Sequence, residues 1–185
     1  MRFSKVSQTA FDEFQLEAGL ILKNFTPESP NVSDEDIVCA TTGGIQITCK
    51  PTFTDYGDDV DNVPANMLEF KEIDGWDCSL GFTALTVSAE SIRLALGAAT
   101  VDGTKITPRA EKEDDDASDI WWVGDRADGG LVACCLKNAL STEGLSFKTT
   151  KKGKGQLSCT LTGHVSISAQ DEVPMEFYVI EGANE

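Results

Sequence analysis

Four aspartates stand within seven residues of the segment TFTDYGDDVDNVP, residues 52–64, and carboxylate oxygens are ligands that Ca²⁺ prefers. The four are Asp55, Asp58, Asp59 and Asp61. Like charges this close repel one another, so water, a metal ion or a positively charged partner must stabilise the cluster. An EF-hand loop requires glycine at position 6 and glutamate at position 12, but counting from Asp55 these are Val60 and Asn66. The EF-hand is therefore excluded, and three interpretations stay open: a solvated loop, a calcium site of another type, or an interface loop that contacts positive charge on another molecule.

No catalytic constellation accompanies these aspartates. His164 is the one histidine and lies on the polar side of a strand pattern, which is typical of a solvated or interface residue. The chain has no G-x-S-x-G elbow, no Walker loop and no G-x-G-x-x-G fingerprint. The glycines of TTGG, residues 41–44, precede a strand pattern and indicate a turn. We therefore predict that the protein is not an enzyme and has no cofactor.

The six cysteines form no C-x-x-C pair, and one histidine does not complete a zinc site with them. They are Cys39, Cys49, Cys78, Cys134, Cys135 and Cys159. Neighbouring residues of a strand point to opposite faces, so Cys134 and Cys135 are poorly placed to share a metal. For a cytosolic product we predict six buried free thiols, although spacing alone does not exclude a disulfide.

The net charge of the chain argues against partners that carry negative charge. The 185 residues include 15 basic and 31 acidic side chains, which gives a net charge of −16 at pH 7. Such a surface repels phosphate groups and argues against attraction to DNA or to an anionic membrane. The first residues, MRFSKVSQTAFDEF, lack the apolar region of a signal peptide, and no apolar run approaches the length of a membrane span. We expect no membrane partner.

Alternating apolar and polar residues indicate that strands position these side chains. The segment LSCTLTGHVSISA, residues 157–169, predicts one long strand whose buried face runs from Leu157 to Ala169. Near the N-terminus a second pattern predicts an apolar face of Phe14, Leu16, Ala18, Leu20 and Leu22. Its polar face holds Glu13, Gln15, Glu17 and Lys23, and Ile21 is the one exception to the pattern.

Further strands follow from the same periodicity. GGIQITCK alternates apolar and polar residues, with an apolar face of Ile45, Ile47 and Cys49. Shorter patterns predict strands at 67–72, 76–87, 131–137, 145–149 and 175–180. The basic segment KTTKKGKG, residues 148–155, lies between two of these patterns and reads as the tip of a hairpin.

One amphipathic helix is predicted at about 88–97, in SAESIRLALG. Ser88 is a natural N-cap, Glu90 is favourable in the first turn, and Gly97 suits the C-terminal end. The patterns together predict a mostly β fold, a β-sandwich or barrel of long antiparallel strands with this one flanking helix. We predict one domain, 1–185, with an N-terminal arm at 1–10 and acidic loops at 51–66 and 109–119.

Five stretches in a fixed order resemble the major tail tube protein of long-tailed, siphovirus-type bacteriophages. They are CATTGGIQITCKPTFTDYGDDVDNVP, WDCSLGFTALTVSAESIRLALGAA, ITP at 106–108, DIWWVGDRADGG at 119–130, and LKNALSTEGLSFKTTKKGKGQLSCTLTGHVSI at 136–167. The resemblance runs from about residue 11 to 180 and depends on the order of the stretches, because no single motif is diagnostic.

The resemblance implies a structural virion protein that assembles into hexameric rings. The rings would stack into the tail tube, a conduit through which DNA passes into the host without specific binding. Implied partners are further copies of the chain and other tail proteins, such as the tape measure and the tail terminator. The implied location is the virion tail, after synthesis in the cytoplasm of the bacterial host. A tailocin or a contractile-tail tube could use a similar subunit.

The physical properties of the chain agree with this family. Long amphipathic strands allow sheets of neighbouring subunits to join edge to edge into a large barrel, and negative charge suits a conduit that must not retain DNA. Candidate subunit-interface or lumen residues are Asp55, Asp58, Asp59, Asp61, Lys148, Lys151, Lys152, Lys154, Glu13 and Glu17. The alternative function is a monomeric β-sandwich binding module whose acidic loop takes calcium or a sugar.

Overall fold

The computed structural model describes residues 5–182, so the first part of the predicted N-terminal arm, residues 1–4, lies outside the described residues. Within this range the chain forms ten strands, one α-helix and three short 3-10 helices. The strands are β1 (Gln15–Leu22), β2 (Thr41–Asp55), β3 (Lys71–Ala84), β4 (Ala99–Asp102), β5 (Lys105–Pro108), β6 (Ser118–Arg126), β7 (Leu131–Ser141), β8 (Ser146–Lys148), β9 (Gln156–Thr162) and β10 (Met175–Ile180). The α-helix, α1, spans Ala89–Leu96, and the 3-10 helices span Leu68–Phe70, Asp114–Asp116 and Ile167–Ala169.

All strand pairings are antiparallel, and most follow one continuous path, β1-β6-β7-β9-β3-β2. β10 pairs with β7, β8 pairs with β9, and β4 and β5 form a separate hairpin. β7 joins the two halves of the sheet, because its first part pairs with β6 and β10 while Leu140 and Ser141 pair with β9. The prediction of a mostly β fold with one short helix is confirmed, in the sandwich form, since the described strands do not close into a barrel.

The main hydrophobic core lies between the two halves of this sheet. One half contributes Ile21, Trp122 and Leu136, and the other contributes Leu80 and Leu161. The three leucines are fully buried, and burial of each stabilises the fold by about 2 kcal/mol. A smaller cluster on the opposite face of β1, β6 and β7 consists of Leu22, Phe25, Val123 and Ala133. The β1-β6-β7 half is therefore covered on both faces.

Helix α1 begins and ends as the sequence predicts. The Ser88 hydroxyl accepts a hydrogen bond from the Ser91 N–H at 3.0 Å, and the Ser91 hydroxyl accepts one from the Ser88 N–H at 2.9 Å. Gly97 ends the helix with φ +78°, and a side chain there would collide with the carbonyl oxygen of Ser141. Ser91 and Ala95 are buried, so the helix packs closely on the sheet through small residues. No helix within residues 5–182 is both long and apolar enough to cross a membrane.

The predicted long strand at 157–169 is wrong beyond residue 162, because β9 is seven residues long. The Gly163 N–H still donates to the carbonyl oxygen of Cys78 on β3 at 3.0 Å, and the chain leaves the sheet after this residue. Beyond this point Val165 and Ile167, which the pattern placed on the buried face, are 53% and 89% exposed. Alternation reports which side chains share a face of a strand, but it does not report where the strand loses its partners.

The predicted apolar face of β1 is wrong at Phe14, Leu16 and Leu20 and holds at Leu22, which is buried. Leu16 and Leu20 are exposed, whereas Ile21, the exception to the pattern, is fully buried. The pairing of β1 with β6 shifts register between Leu16 and Leu20, and both Glu17 and Gly19 have positive φ angles. Three residues of β1, 17–19, lie opposite the single residue Gly124 of β6, so the alternation of the sequence does not continue through this section of the strand.

The other strand predictions hold with adjusted boundaries, but β4, β5 and β6 were not predicted. The turn predicted at TTGG, 41–44, is wrong, because these residues belong to β2, where Gly43 and Gly44 take positive φ angles at a register shift. The predicted strand at 67–72 is wrong in its first part, because Leu68–Phe70 is a 3-10 helix and β3 begins at Lys71. The apolar face predicted in GGIQITCK does pack against the core. Strands predicted at 76–87, 131–137, 145–149 and 175–180 correspond to β3, β7, β8 and β10.

The end of β9 yields a direct test. Leu161→Asp would bury an unpaired carboxylate in the core and should destabilise the protein by on the order of 4 kcal/mol, enough to prevent folding. Val165→Asp lies on the same predicted face but is exposed, so the free energy of unfolding should change by less than about 0.5 kcal/mol. Urea unfolding followed by circular dichroism measures both changes. Equal damage from the two substitutions would contradict the chain's exit from the sheet at Gly163.

Candidate functional site

The β2–β3 hairpin is longer than the sheet that supports it. β2 and β3 pair as far as Asp55 opposite Lys71, but β9 pairs with β3 only over residues 79–84. Residues 51–77 therefore project as a two-stranded extension with a loop at its tip, which we call the ribbon. An isolated two-stranded hairpin is marginally stable in water, so further contacts would stabilise the ribbon.

One face of the ribbon is apolar and uncovered. Phe53 lies directly opposite Ile73, and Pro51 lies opposite Trp76, so all four side chains share a face. Phe53, Ile73 and Trp76 are 53%, 48% and 38% exposed. This face continues the one that packs on the core at Cys49, where the supporting sheet ends. The apolar alternation of β2 thus runs past the core and onto the surface.

Asp55 is held by its own chain at the end of β2. Its carboxylate accepts a hydrogen bond from the Gly57 N–H at 3.0 Å and forms an ion pair with Lys71 at 3.1 Å. The Gly57 hydrogen bond and the Lys71 ammonium lower the pKa of Asp55 below its ordinary value. Residues 51–55 of the predicted acidic loop 51–66 are thus strand, and Asp55 anchors the loop to the ribbon.

The other three aspartates lie on the loop at the ribbon tip, and all are exposed. They are Asp58, Asp59 and Asp61. None of the ion pairs formed by the described residues includes them. Within residues 5–182, no three or more His, Cys, Asp or Glu side chains are grouped so that they could hold a metal ion. These carboxylates are therefore accessible to solvent in the isolated chain.

The predicted basic hairpin is formed by β8 and β9, with Phe147 opposite Leu157 and Lys148 opposite Gln156. Its lysines, Lys148, Lys151, Lys152 and Lys154, are all exposed. The ring of Phe147 lies so close to Gly155 that a Cβ atom there would be 2.8 Å from it. Phe147 is itself 46% exposed, so the basic hairpin combines positive charge with an aromatic surface.

The two remaining candidates lie near the N-terminus. Glu13 precedes β1 and Glu17 sits in its irregular section with φ +58°, and both are exposed. The structure does not bring them into contact with the ribbon tip or with the basic hairpin through any ion pair of the described residues.

The second acidic loop, 109–119, contains a buried ion pair that the sequence did not predict. Both Asp116 oxygens accept hydrogen bonds from Nη2 of Arg109 at 2.6 Å, and the Asp116 side chain is 1% exposed. Burial alone would raise the pKa of Asp116, but hydrogen bonds from the Glu113 N–H and Arg109 outweigh it, so the pKa lies below its usual range. This aspartate serves the fold and not a surface.

His164 and the cysteines also have structural surroundings. Nδ1 of His164 lies 3.2 Å from the carbonyl oxygen of Asn138, and the Asn138 side-chain amide donates to the His164 carbonyl oxygen at 3.0 Å.

All six cysteines are free thiols, with Cys49 and Cys78 facing each other across β2 and β3 at 3.6 Å between sulfur atoms. Burial raises the pKa of Cys159 to about 12, which makes this thiol a poor nucleophile.

The structure shows open strand edges that sequence patterns did not locate. Within the described residues, β2 pairs with β3 alone and β10 pairs with β7 alone, so each leaves one edge of backbone donors and acceptors unpaired. On β10, Phe177 and Val179 are 56% and 64% exposed. Open apolar edges are templates for pairing with another chain. The alternation in MEFYVI predicts the strand, but its position at an edge depends on the order of strands in the sheet.

Comparisons with known proteins find similarity to solved structures only. No family model matches the chain, and no curated protein matches it. Five chains of solved structures match, and one of them belongs to a structure described as the virion of a native gene transfer agent (GTA) particle. The two chains are 10% identical with a TM-score of 0.44, over 87% of this chain and 95% of that chain. At this level of similarity the match carries no argument about fold or function.

Because Asp55 forms an ion pair with Lys71, we predict that Asp55 contributes to stability and that the other three aspartates do not. At pH 7, Asp55→Asn should lower the melting temperature, whereas the triple change Asp58→Asn, Asp59→Asn and Asp61→Asn should leave it within about 2 °C of the wild-type value. Because the folded-state pKa of Asp55 is depressed, its contribution is present above the ordinary value of 3.8 and is lost as pH falls through the folded-state pKa. The deficit of Asp55→Asn should therefore shrink in acid.

Calcium provides the control for this experiment. Millimolar Ca²⁺ should not change the melting temperature of the wild-type protein or of the triple variant. A calcium-dependent rise in the wild-type melting temperature, absent from the triple variant, would show that the loop binds the ion, because a ligand specific for the native state stabilises it.

Proposed function

We propose that this protein is the subunit of a tubular virion assembly, the tail tube of a long-tailed phage or of a related phage-like particle. Six copies form a ring, rings stack into a tube, and DNA passes through the lumen without specific binding. The role is structural and not catalytic. The partners are further copies of the chain and other tail proteins, such as a tape measure and a terminator.

The open edges of β2 and β10 carry this proposal. A protein that functions as a monomer covers or interrupts such edges. Here β10 presents an uninterrupted edge with exposed Phe177 and Val179, and β2 presents an open edge that a register shift at Gly43 and Gly44 divides. Edge-to-edge pairing between copies would extend the antiparallel sheet from subunit to subunit. A ring of copies would close it into a barrel without free edges. The ordered sequence resemblance to tail tube proteins supports the same conclusion.

The charge of the chain agrees with a conduit for DNA. The net charge of −16 keeps separate copies soluble despite the exposed apolar edges and would repel the phosphates of DNA in transit. We expect a subunit that is monomeric or weakly associated when dilute, and that assembles into rings or tubes when concentrated. Negative-stain microscopy of the purified protein over a range of concentrations tests the proposal. Featureless small particles at every concentration would favour the monomeric binding module instead.

A charged substitution on β10 tests the role of the edge. Val179→Lys places a charge on an exposed side chain, so the melting temperature should change little while rings and tubes are lost. Val165→Lys is the matched control, because Val165 is 53% exposed on the segment that follows β9. Sedimentation velocity measures assembly of both variants. Assembly of Val179→Lys at wild-type concentrations would exclude β10 as a subunit contact.

A further inference from the structure

We propose that the ribbon of one copy docks on the basic hairpin of a second copy, so that copies join end to end with a single direction. The basic hairpin is defined as residues 147–156. The inference deepens the proposed function and rests on it in taking a second copy as the partner. The surfaces themselves are identified by their exposure, their charge and their places in the fold.

The ribbon has an apolar face that the isolated chain leaves uncovered. Phe53 and Ile73 face each other across the two strands, and about half of each side chain is exposed. The same face is covered by the core at Cys49, only four residues before Phe53. An uncovered apolar face that continues a core face on a two-stranded extension is typical of a surface that another molecule covers.

The charge of the ribbon specifies what that molecule must be. Residues 51–77 contain eight acidic residues and one lysine, which gives a local net charge of −7. A partner must therefore present positive charge together with apolar surface. The basic hairpin does both, because it has four lysines, no acidic residue and the half-exposed ring of Phe147. Opposite charge on the two surfaces sets their register and suppresses wrong pairings.

The fold prevents these two surfaces from meeting within one molecule. β3 pairs with β9 so that Ala84 lies opposite Leu157, and the tip of the basic hairpin extends beyond this end. The ribbon tip extends beyond the other end of β3, past Lys71. The thirteen residue steps between Lys71 and Ala84 correspond to roughly 43 Å along the strand. The acidic and basic surfaces therefore lie at opposite ends of the same sheet.

Because the acidic and the basic surface lie at opposite ends of the sheet, the contact between two copies joins two different surfaces and is heterologous. Each copy that docks its ribbon leaves its own basic hairpin free for the next copy, so the contact repeats in one direction. Such a contact suits the stacking of subunits along an axis. It leaves the β2 and β10 edges available for contacts around that axis.

Zero-length carbodiimide cross-linking tests the contact directly, because it joins a carboxylate to a lysine amine in contact with it. The protein is mixed from equal amounts of ¹⁴N- and ¹⁵N-labelled chains and cross-linked at assembling concentrations. We expect mixed-isotope links between the peptide containing Asp58, Asp59 and Asp61 and the peptides containing Lys151, Lys152 and Lys154. The exposed acids Glu111 and Asp114 serve as internal controls. Links to these controls at equal frequency, or no links from the ribbon, would overturn the proposal.

Charge reversal tests it in solution. The acid-reversed variant carries Asp58→Lys, Asp59→Lys and Asp61→Lys, and the base-reversed variant carries Lys151→Glu, Lys152→Glu and Lys154→Glu. Each alone should raise the concentration needed for assembly at least about tenfold, since like charges then face each other. A mixture of the two variants, or one chain with all six changes, should assemble within a few-fold of the wild-type concentration. Thermal unfolding confirms that each variant is folded.

The acid-reversed variant distinguishes a specific contact from general repulsion. Three Asp→Lys changes add six positive charges, so its net charge falls from −16 to −10. If overall repulsion governed assembly, this variant would assemble more readily than the wild-type protein, and that result would refute the proposed contact. If each charge-reversed variant assembled at the same concentration as the wild-type protein, this contact would be refuted but the proposed function would not. Failure of the wild-type protein to assemble at all would refute the proposed function.

Discussion

The antiparallel pairing of β2 with β3 is the interaction on which the rest of the structure depends. Its first half lies in the sheet and supplies core residues such as Leu80, while its second half projects as the ribbon. The β2–β3 pairing, which shifts register between Thr52 and Phe53, therefore links the buried core to the exposed apolar face of the ribbon. Because this pairing sets the register, the side chains that continue the core face are also those that the ribbon presents to solvent.

The acidic charge of the chain is divided between structural and free positions. Asp55, Asp116 and Asp128 are each held by a basic side chain and by backbone N–H groups of a neighbouring turn. These contacts stabilise loop conformations, and they depress the pKa of each carboxyl. The loop at the ribbon tip has no comparable partner among the described residues. Its charge remains available for contacts outside the chain, which is what an assembling subunit requires.

The net charge of the chain opposes the association that its open strand edges promote. Unpaired edges with exposed apolar side chains promote uncontrolled association, which proteins usually prevent by covering or charging the edge. Here the net charge of −16 opposes random association, while the acidic and basic surfaces at opposite ends favour one orientation. In the proposed tube, the edges would provide contacts within a ring and the ends would provide contacts between rings.

The sequence alone predicts seven of the ten strands, the capped helix and the basic hairpin, because each depends on residues close together in the chain, whereas β4, β5 and β6 were not predicted. Ser88 and Gly97 mark the helix ends through local hydrogen bonding and backbone conformation, and alternation identifies β2 and β10. All six cysteines are free thiols as predicted, but five are buried and Cys49 is half-buried.

Tertiary structure alone decided where strands end, which strands are edges and which charges are paired. Strand β9 stops at Thr162 although its alternation continues, and beyond the Gly163 hydrogen bond to the Cys78 carbonyl oxygen the side chains of Val165 and Ile167 are exposed. Asp55 and Asp58 belong to the same acidic segment, and the sequence does not distinguish them. Only Asp55 forms an ion pair with Lys71, sixteen residues away across the hairpin. Periodicity and composition describe a segment by itself, whereas edges, ion pairs and opposite ends are relations between segments distant in the chain. Those relations exist only once the strands have paired in a particular order.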